Sequence, residues 1–323
     1  MNLRKIIFAA LVVSALAGCK KDEDTTVSPS LEGYLTIKGL PEYVSGKQSV
    51  QLEPKGLSHP EGKEITYTWR VSPTAPTADS TRIFNFTFSD TLQTCTITCT
   101  ASAEGYSSSA AVGYTTIVKG GKDGSITGIE FPTTCFSTSA ATYYYKQIGT
   151  QTWLLNNVAE KPSGMPYVNA DVMSNVFGRY YSYQDAISVC ESLSTSEMEW
   201  TLPTLEDWKT LQTYIKGQPD AGKSVAAALM GNASFNGETM WEYWKAVGDI
   251  TNSTGFSAIP VGYTNITSSL FDGEYEYAAF WTASPADKSN EAKAVYIIEN
   301  QPDIYIGDMD RESFGASVRC IRK

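Results

Sequence analysis

Residues 200–208 (WTLPTLEDW) constrain the fold more than any other stretch, because they predict a short apolar strand that runs directly into a helix. Thr204 is a typical N-cap residue, and Glu206 and Asp207 place acids in the first turn, where they suit the positive end of a helix. Apolar residues then recur at helical spacing up to a terminal glycine: Leu205, Trp208, Leu211, Ile215 and Gly217. We therefore expect a helix with one buried stripe, and we assign its tryptophan to the core in preference to a ligand site.

Length and charge exclude several functional classes. The 323 residues suffice for two ordinary domains, and the formal net charge of -10, with no local basic cluster, argues against a nucleic-acid partner. The single histidine, His59, lies in a turn-like segment and is expected to be a solvated loop residue. One histidine provides little basis for a histidine-based triad or a histidine-rich metal site, and the sequence contains no catalytic constellation.

The first 18 residues have the pattern of a secretory signal. Arg4 and Lys5 precede a short apolar run, which is followed by the residues LAGC ending at Cys19. The run is too short to span a bilayer comfortably. LAGC resembles the bacterial lipobox, and the resemblance implies that Cys19 becomes an acylated N-terminus that anchors the protein to a membrane. The alternative is a plain signal with an incidental cysteine.

Residues 19–30 are polar and charged without periodicity, which predicts a flexible tether. A cysteine followed by lysine and acids also resembles the sorting signal of Bacteroidetes surface lipoproteins. That resemblance implies a lipid-anchored protein exposed on the outer membrane, whereas a tether without any sorting role is the alternative.

Residues 31–118 predict an all-β domain. Four segments, residues 34–38, 65–71, 83–88 and 94–100, alternate with period two and are separated by Gly and Pro, as in a β-sandwich. The strand pattern with Trp69 resembles bacterial immunoglobulin-like domains of the PKD type. Cys95 and Cys99 lie about 13 Å apart on one strand face, too far for a bond, so we expect them to pack beside Ile97. A metal-binding or redox pair is the functional alternative.

A glycine-rich, charged linker at residues 119–125 separates this domain from a second one, residues 126–323. The second domain begins with a predicted hairpin over residues 143–155, turned at residues 149–150. A helix capped by Ser182 is expected to present Ala186, Val189, Cys190 and Leu193 to the core. Another short helix near residues 222–230 and several short strands follow, which predicts an α+β domain with a curled antiparallel sheet and two main helices.

Five ordered blocks in this domain support a family assignment: residues 151–156, 200–208, 255–263, 280–284 and 317–320. Together they resemble the Fibrobacter succinogenes major paralogous domain, over roughly residues 130–323. This family of bacterial surface and secreted proteins is related to the C-type lectin-like and formylglycine-generating-enzyme folds. The resemblance implies that fold and export, and it implies no established activity.

The same resemblance implies a disulfide between Cys190 and Cys320, since the family places cysteines before its Trp-x-Leu-Pro block and in its last strand. Closing so long a loop stabilises by roughly 4 to 5 kcal/mol in the chain-entropy model, and export makes the bond chemically possible. With Cys19 set aside, five cysteines remain, so at least one stays unpaired. Cys135 is our candidate for the unpaired cysteine of this domain.

Aromatic residues are the binding candidates. Trp241, Tyr243 and Trp244, flanked by Gly237 and Gly248, are predicted to offer a platform on which sugar rings stack. The alternative is that at least one of the two tryptophans fills the core.

Two acidic segments are assigned to turns. Asp308, Asp310 and Glu312 alternate along the chain, which favours a solvated turn over a calcium site because a full ligand set is lacking. Residues 301–303 (QPD) copy a tripeptide of galactose-type C-type lectins, but we interpret them as a turn between two apolar strands.

The sequence therefore predicts a non-catalytic, lipid-anchored surface protein that binds an extracellular ligand, with a glycan as the first candidate. A structural or adhesive protein that binds another protein is the alternative. An enzyme of the formylglycine-generating type comes third, because no matching cysteine pair can be placed. We predict no catalytic residue, cofactor or metal.

Overall fold

The computed structural model of the protein describes residues 28–73, 80–91, 94–118, 126–219, 224–241 and 247–323. The chain divides into two compact units, Met1–Lys119 and Gly120–Lys323. The predicted signal, the anchor residue Cys19, most of the tether and the linker at residues 119–125 lie outside the described residues. Within the described part of the chain, no helix is long and apolar enough to cross a membrane.

The first unit is a sandwich of two sheets. Its described strands are β1 (Glu32–Lys38), β2 (Tyr43–Ser45), β3 (Ser49–Ser58), β4 (Thr66–Ser72), β5 (Phe84–Thr87), β6 (Thr94–Ser102) and β7 (Ser109–Val118). One sheet has the order β1-β3-β5 and the other β2-β7-β6-β4, with β2 parallel to β7 and the remaining pairs antiparallel. Inward-facing residues of both sheets form one core around the fully buried Trp69. The period-two alternation of the sequence therefore corresponds to real strands with one buried face.

Cys95 and Cys99 are free, buried thiols on the inner face of β6, on either side of Ile97. Burial raises the pKa of both thiols, that of Cys99 to about 12, so both are neutral at physiological pH. They pack as small apolar residues, as predicted. The prediction for His59 is wrong, because its ring is buried against Tyr106 at 4.5 Å and its Nδ1 accepts the backbone N–H of Glu61.

The second unit contains four described α-helices, α1 (Ser174–Phe177), α2 (Tyr183–Ser192), α3 (Leu205–Lys216) and α4 (Val225–Leu229). Ser182 caps α2 by accepting the N–H of Asp185, and α2 ends at Leu193. Thr204 and Asp207 form a complete capping box at the start of α3, which ends at Gly217. The two main helices and their caps are confirmed, because these short-range signals depend on nothing outside their own segments.

The described strands of the second unit are β8 (Ile126–Thr127), β9 (Cys135–Ser137), β10 (Thr142–Ile148), β11 (Gln151–Leu154), β12 (Trp200–Thr201), β13 (Ser234–Phe235), β14 (Glu238–Thr239), β15 (Val261–Asn265), β16 (Leu270–Glu274), β17 (Tyr277–Pro285), β18 (Glu291–Ile298), β19 (Tyr305–Asp310), β20 (Phe314–Gly315) and β21 (Ile321–Arg322). They form a sheet in the order β12-β21-β11-β10-β9, a small sheet β14-β13-β8, and a six-stranded sheet β16-β15-β17-β18-β19 with β20 paired to β15. The predicted hairpin is the β10–β11 pair. The six-stranded sheet is antiparallel except that β15 is parallel to β17. The chain reverses direction from β15 to β16 and again from β16 to β17, so β17 runs in the same direction as β15 and pairs with its other edge.

The six-stranded sheet is covered on both faces near its middle. On β17, Ala279 and Trp281 belong to a core that includes α2, while Ala278 and Phe280 belong to a second core that includes α3 and α4. Successive side chains of a strand point to opposite faces, so one strand contributes to both cores. This central strand holds the two helical layers at fixed positions on the sheet.

Candidate ligand-binding surface

The aromatic platform predicted around Trp241 is wrong for that residue. Trp241 is fully buried in the core that contains α3 and α4, and its indole N–H donates to the carbonyl of Ala258 at 3.2 Å. Both faces of the ring are therefore occupied by protein, and a sugar cannot stack on them. Tyr243 and Trp244 lie outside the described residues.

Cys190 and Cys320 form a disulfide, the pair that the family resemblance implied. Their sulfurs are 2.01 Å apart and their Cα atoms 5.6 Å apart, and both residues are fully buried. The bond ties the end of α2 to the residue that precedes β21. Cys135 is a free, exposed cysteine in β9.

The alternating acids near the end of β19 are used by the fold. Asp308 accepts a hydrogen bond from Lys293 on the neighbouring strand at 2.5 Å. Asp310 accepts the backbone N–H and the hydroxyl of Ser313 and, with a smaller effect, the backbone N–H of Glu312, and these bonds lower the pKa of its carboxyl to about 2. Among the described residues, no group of three or more His, Cys, Asp or Glu side chains is arranged to hold a metal ion.

The tripeptide at residues 301–303 serves the fold in a similar way. The carbonyl of Pro302 accepts the hydroxyl of Ser224 at 2.9 Å and the backbone N–H of Ala226 at 3.0 Å, so this turn completes the start of α4. Asp303 forms an ion pair with Lys216 at 3.1 Å. The segment connects β18 to β19, as a turn between two strands was predicted to do.

The buried side chain of Arg319 connects three of the sequence blocks described above. The guanidinium of Arg319 is 1% exposed and donates to the side-chain oxygen of Asn157 at 2.7 Å and to the carbonyls of Leu154, Phe256 and Ser257 at 3.3, 2.8 and 3.0 Å. Burial lowers its pKa to about 9, which leaves the side chain charged at neutral pH. All of these contacts are internal, so Arg319 holds loops together and is not available to a ligand.

A candidate binding surface among the described residues is a set of tyrosines on four strands of the six-stranded sheet. We call it the tyrosine row; its members are Tyr263 on β15, Tyr277 on β17, Tyr296 on β18 and Tyr305 on β19. Ring centroids lie 6.1 Å apart for Tyr263 and Tyr277, 6.4 Å for Tyr263 and Tyr296, and 6.2 Å for Tyr296 and Tyr305. Four strands at sheet spacing extend the row over about 14 Å.

The four tyrosines of the row differ in exposure. Tyr296 is 8% exposed and lies at the base, Tyr263 and Tyr277 are partly exposed, and Tyr305 is 59% exposed at the edge of the sheet. Tyr296 and Tyr263 rest on Phe314, with ring centroids at 6.2 and 5.4 Å, so the outer rings are supported from below by the core. The row is thus anchored in the sheet and open on its outer side.

A glycine makes room for the close approach of two rings. A Cβ added at Gly273 would lie 2.4 Å from Cδ2 of Tyr277 and 3.3 Å from a ring carbon of Tyr263. Gly273 also has a positive φ of 72°, which other residues rarely adopt. The two rings therefore pack directly against the backbone of β16.

The charged groups beside the row are acidic. Asp272 lies opposite Tyr263 in the β15–β16 register, and its Oδ2 is 3.5 Å from the tyrosine hydroxyl. Burial and then Asp272 raise the pKa of Tyr263, while burial and then Glu276 raise that of Tyr277. Burial raises the pKa of Tyr296 as well. All three hydroxyls are therefore protonated at neutral pH and can both donate and accept hydrogen bonds.

Sequence reasoning missed the row because its members are scattered from residue 263 to residue 305 and share no local motif. Each tyrosine lies on a different strand. Two of these strands, β15 and β17, pair in parallel although β16 lies between them in the sequence. The available signal was a tyrosine in or beside four successive apolar segments, which by itself indicates only half-buried strands.

Comparison with known proteins gives one match to a family. The model of the Fibrobacter succinogenes major domain matches residues 147–322. No curated protein matches the chain. The matched range contains the disulfide, Arg319 and the whole tyrosine row.

Proposed function

The protein belongs to the Fibrobacter succinogenes major domain family, and from this premise we propose that it is a non-catalytic binding protein that takes a glycan on the tyrosine row. The observation that carries the proposal is the row itself, four tyrosines on four strands of one sheet, three of which are partly or largely exposed. Tyrosine offers a large, stiff aromatic face together with a hydroxyl, and such residues dominate binding surfaces that recognise partly polar ligands.

The chemistry of the row suits a sugar. The C–H face of a pyranose ring is apolar and packs on an aromatic ring, while its hydroxyls require donors and acceptors nearby. Tyr263 and Tyr277 supply both functions, and Asp272 adds a carboxylate acceptor at one end. A row of about 14 Å fits a short oligosaccharide laid across the strands better than a single ring.

We further propose the finer identity of each unit. The two-sheet core around Trp69 supports an immunoglobulin-like spacer of the PKD type for the first unit. In the second unit, β11 near its start pairs with β21 at its end, which supports a C-type lectin-like fold. The lipobox-like residues before Cys19 support a lipid anchor and display on the outer membrane of the cell.

A glycan array probed with the chain from residue 20 onward tests the proposal. Tyr305→Ala removes the most exposed ring of the row, and the loss of one stacked contact of about 1 to 1.5 kcal/mol reduces affinity about tenfold. Tyr34→Ala is the matched control, because Tyr34 is 77% exposed on the other unit. Equal affinity for the wild type and Tyr305→Ala, on a glycan that the array identifies, contradicts a site on the row.

A protein partner is the second candidate, and the edge of the sheet favours it. Among the described strands, β19 pairs only with β18, so its outer backbone is available for another strand, and Ile306 beside Tyr305 is 37% exposed. Asp308 on the same strand discourages unselective pairing. Binding of a protein that is lost in Ile306→Lys, with no signal on the glycan array, would favour this candidate over the first.

A further inference from the structure

We propose that the glycan on the tyrosine row is a cationic one, an oligosaccharide of amino sugars whose amines are free and protonated. This inference rests on the proposed function and names the ligand class of the same site. It is carried by the sign of the charges around the row and by the nature of the rings that form it.

The carboxylates lie at one end of the row, beside Tyr263 and Tyr277. Asp272 is exposed and lies directly across from Tyr263, and the next acid along the chain, Glu276, precedes Tyr277. The backbone N–H of Glu299 donates to the carbonyl of Glu276 at 3.0 Å, which brings a third acidic residue to this end of the sheet. After burial, the carboxyls of Asp272 and Glu276 raise the pKa of Tyr263 and Tyr277, and Glu299 also raises that of Tyr277.

A protonated amine gains from both features of this surface. An ammonium group is attracted to the negative face of an aromatic ring, and it also pairs with a carboxylate. Tyr263 and Tyr277 are partly exposed and lie beside these acids, so a sugar can stack on one ring while its amine reaches the carboxylate next to it. A neutral sugar gains only the stacking and the neutral hydrogen bonds.

Anionic glycans are disfavoured by the same charges. A uronate or sulfate group placed on the row would face Asp272 and Glu276 and would also approach a chain whose formal net charge is -10. We therefore expect affinity to fall in the order amine, neutral and anionic for glycans of equal length.

The experiment compares two ligands that differ only in charge. Isothermal titration of the chain from residue 20 onward uses a glucosamine oligosaccharide and its fully N-acetylated counterpart, at about pH 6, where the amines and the carboxylates are charged. We expect the amine form to bind about tenfold more tightly at low salt, and this preference to shrink as salt is added.

Two variants assign the preference to the site. The double variant Asp272→Asn with Glu276→Gln keeps the shape of the row and removes two charges. Its affinity for the amine form should therefore fall much more than its affinity for the N-acetylated form, and most of the preference should be lost. Glu191→Gln is the matched control, because it removes an exposed acid on α2 outside the row. It should leave both affinities unchanged.

The outcomes separate this inference from the function on which it rests. Equal or tighter binding of the N-acetylated form, lost in Tyr305→Ala, overturns the inference and leaves a neutral-glycan site. A preference for the amine form that Glu191→Gln reduces as much as the double variant also overturns it, since the attraction then comes from overall charge. Failure of every glycan, neutral or charged, to bind overturns the proposed function itself.

Discussion

Replacing Arg319 with methionine is the most informative test of how the second unit is held together. The guanidinium donates four hydrogen bonds to buried acceptors in two separate segments of the chain, residues 154–157 and 256–257, and it lies 4.9 Å from the ring of Phe256. Methionine fills much of the same volume but donates nothing. The change therefore leaves four buried oxygens without the donors they have in the native protein.

The expected loss follows from those acceptors. Each buried polar group left without its partner costs about 1 to 3 kcal/mol, and relief from burying a cation offsets part of this cost. We expect the free energy of unfolding of the second unit to fall by about 4 kcal/mol, the low end of the sum for four acceptors. Since domains are stable by about 5 to 15 kcal/mol, the variant should remain folded at low temperature but unfold at much lower urea concentration.

Urea unfolding followed by tryptophan fluorescence measures this loss. Of the seven tryptophans only Trp69 lies in the first unit, so the signal reports mainly on the second. Arg70→Met, at an exposed position of β4, is the control and should shift neither transition. Arg319→Lys keeps the charge with fewer donors and should fall between wild type and methionine. A decrease below about 1 kcal/mol in Arg319→Met would refute the argument that these hydrogen bonds organise the unit.

Three further perturbations have expected outcomes. Replacing both Cys190 and Cys320 with alanine should lower the free energy of unfolding of the second unit by about 5 kcal/mol, because a bond that spans 130 residues restricts the unfolded chain strongly. Chemical denaturation that resolves one transition for each unit measures this loss. An unchanged transition of the second unit would contradict the prediction. Thr204→Ala removes the capping box of α3 and should cost about 1 kcal/mol in the same assay, with Thr213→Ala on the exposed side of α3 as a milder control. The pKa of Asp310 is lowered in the folded state to about 2, so its contribution is present above the ordinary value of 3.8 and is lost as pH falls toward 2. Acid unfolding should therefore show a shallower dependence of stability on pH in Asp310→Ala, and identical slopes would contradict this assignment.

The segments that the sequence predicted well are those whose signals are local. Thr204 and Asp207 lie three residues apart, and each side chain accepts the backbone N–H of the other within a single turn. The hairpin between β10 and β11 likewise needs only a glycine and two adjacent strands. The alternation of Cys95, Ile97 and Cys99 likewise determines which face of β6 is buried.

Long-range placement was decided by the tertiary structure alone. An aromatic residue such as Trp241 has the same local signature in a core as on a surface, and only the packing of α3, α4 and the loop that carries Ala258 encloses it. The disulfide partner of Cys190 lies 130 residues away, and the sequence indicated it only through the family resemblance.

The tyrosine row shows the same division most clearly. The sequence by itself predicted a block that ends at Tyr263 and apolar strands on both sides of residues 301–303, where Tyr296 and Tyr305 lie. Which strands become neighbours, and whether they run parallel, depends on the packing of the whole unit, because sheet pairing joins backbone groups that are distant in sequence. Periodicity therefore establishes the strands, whereas only the assembled sheet brings four separate tyrosines into one surface.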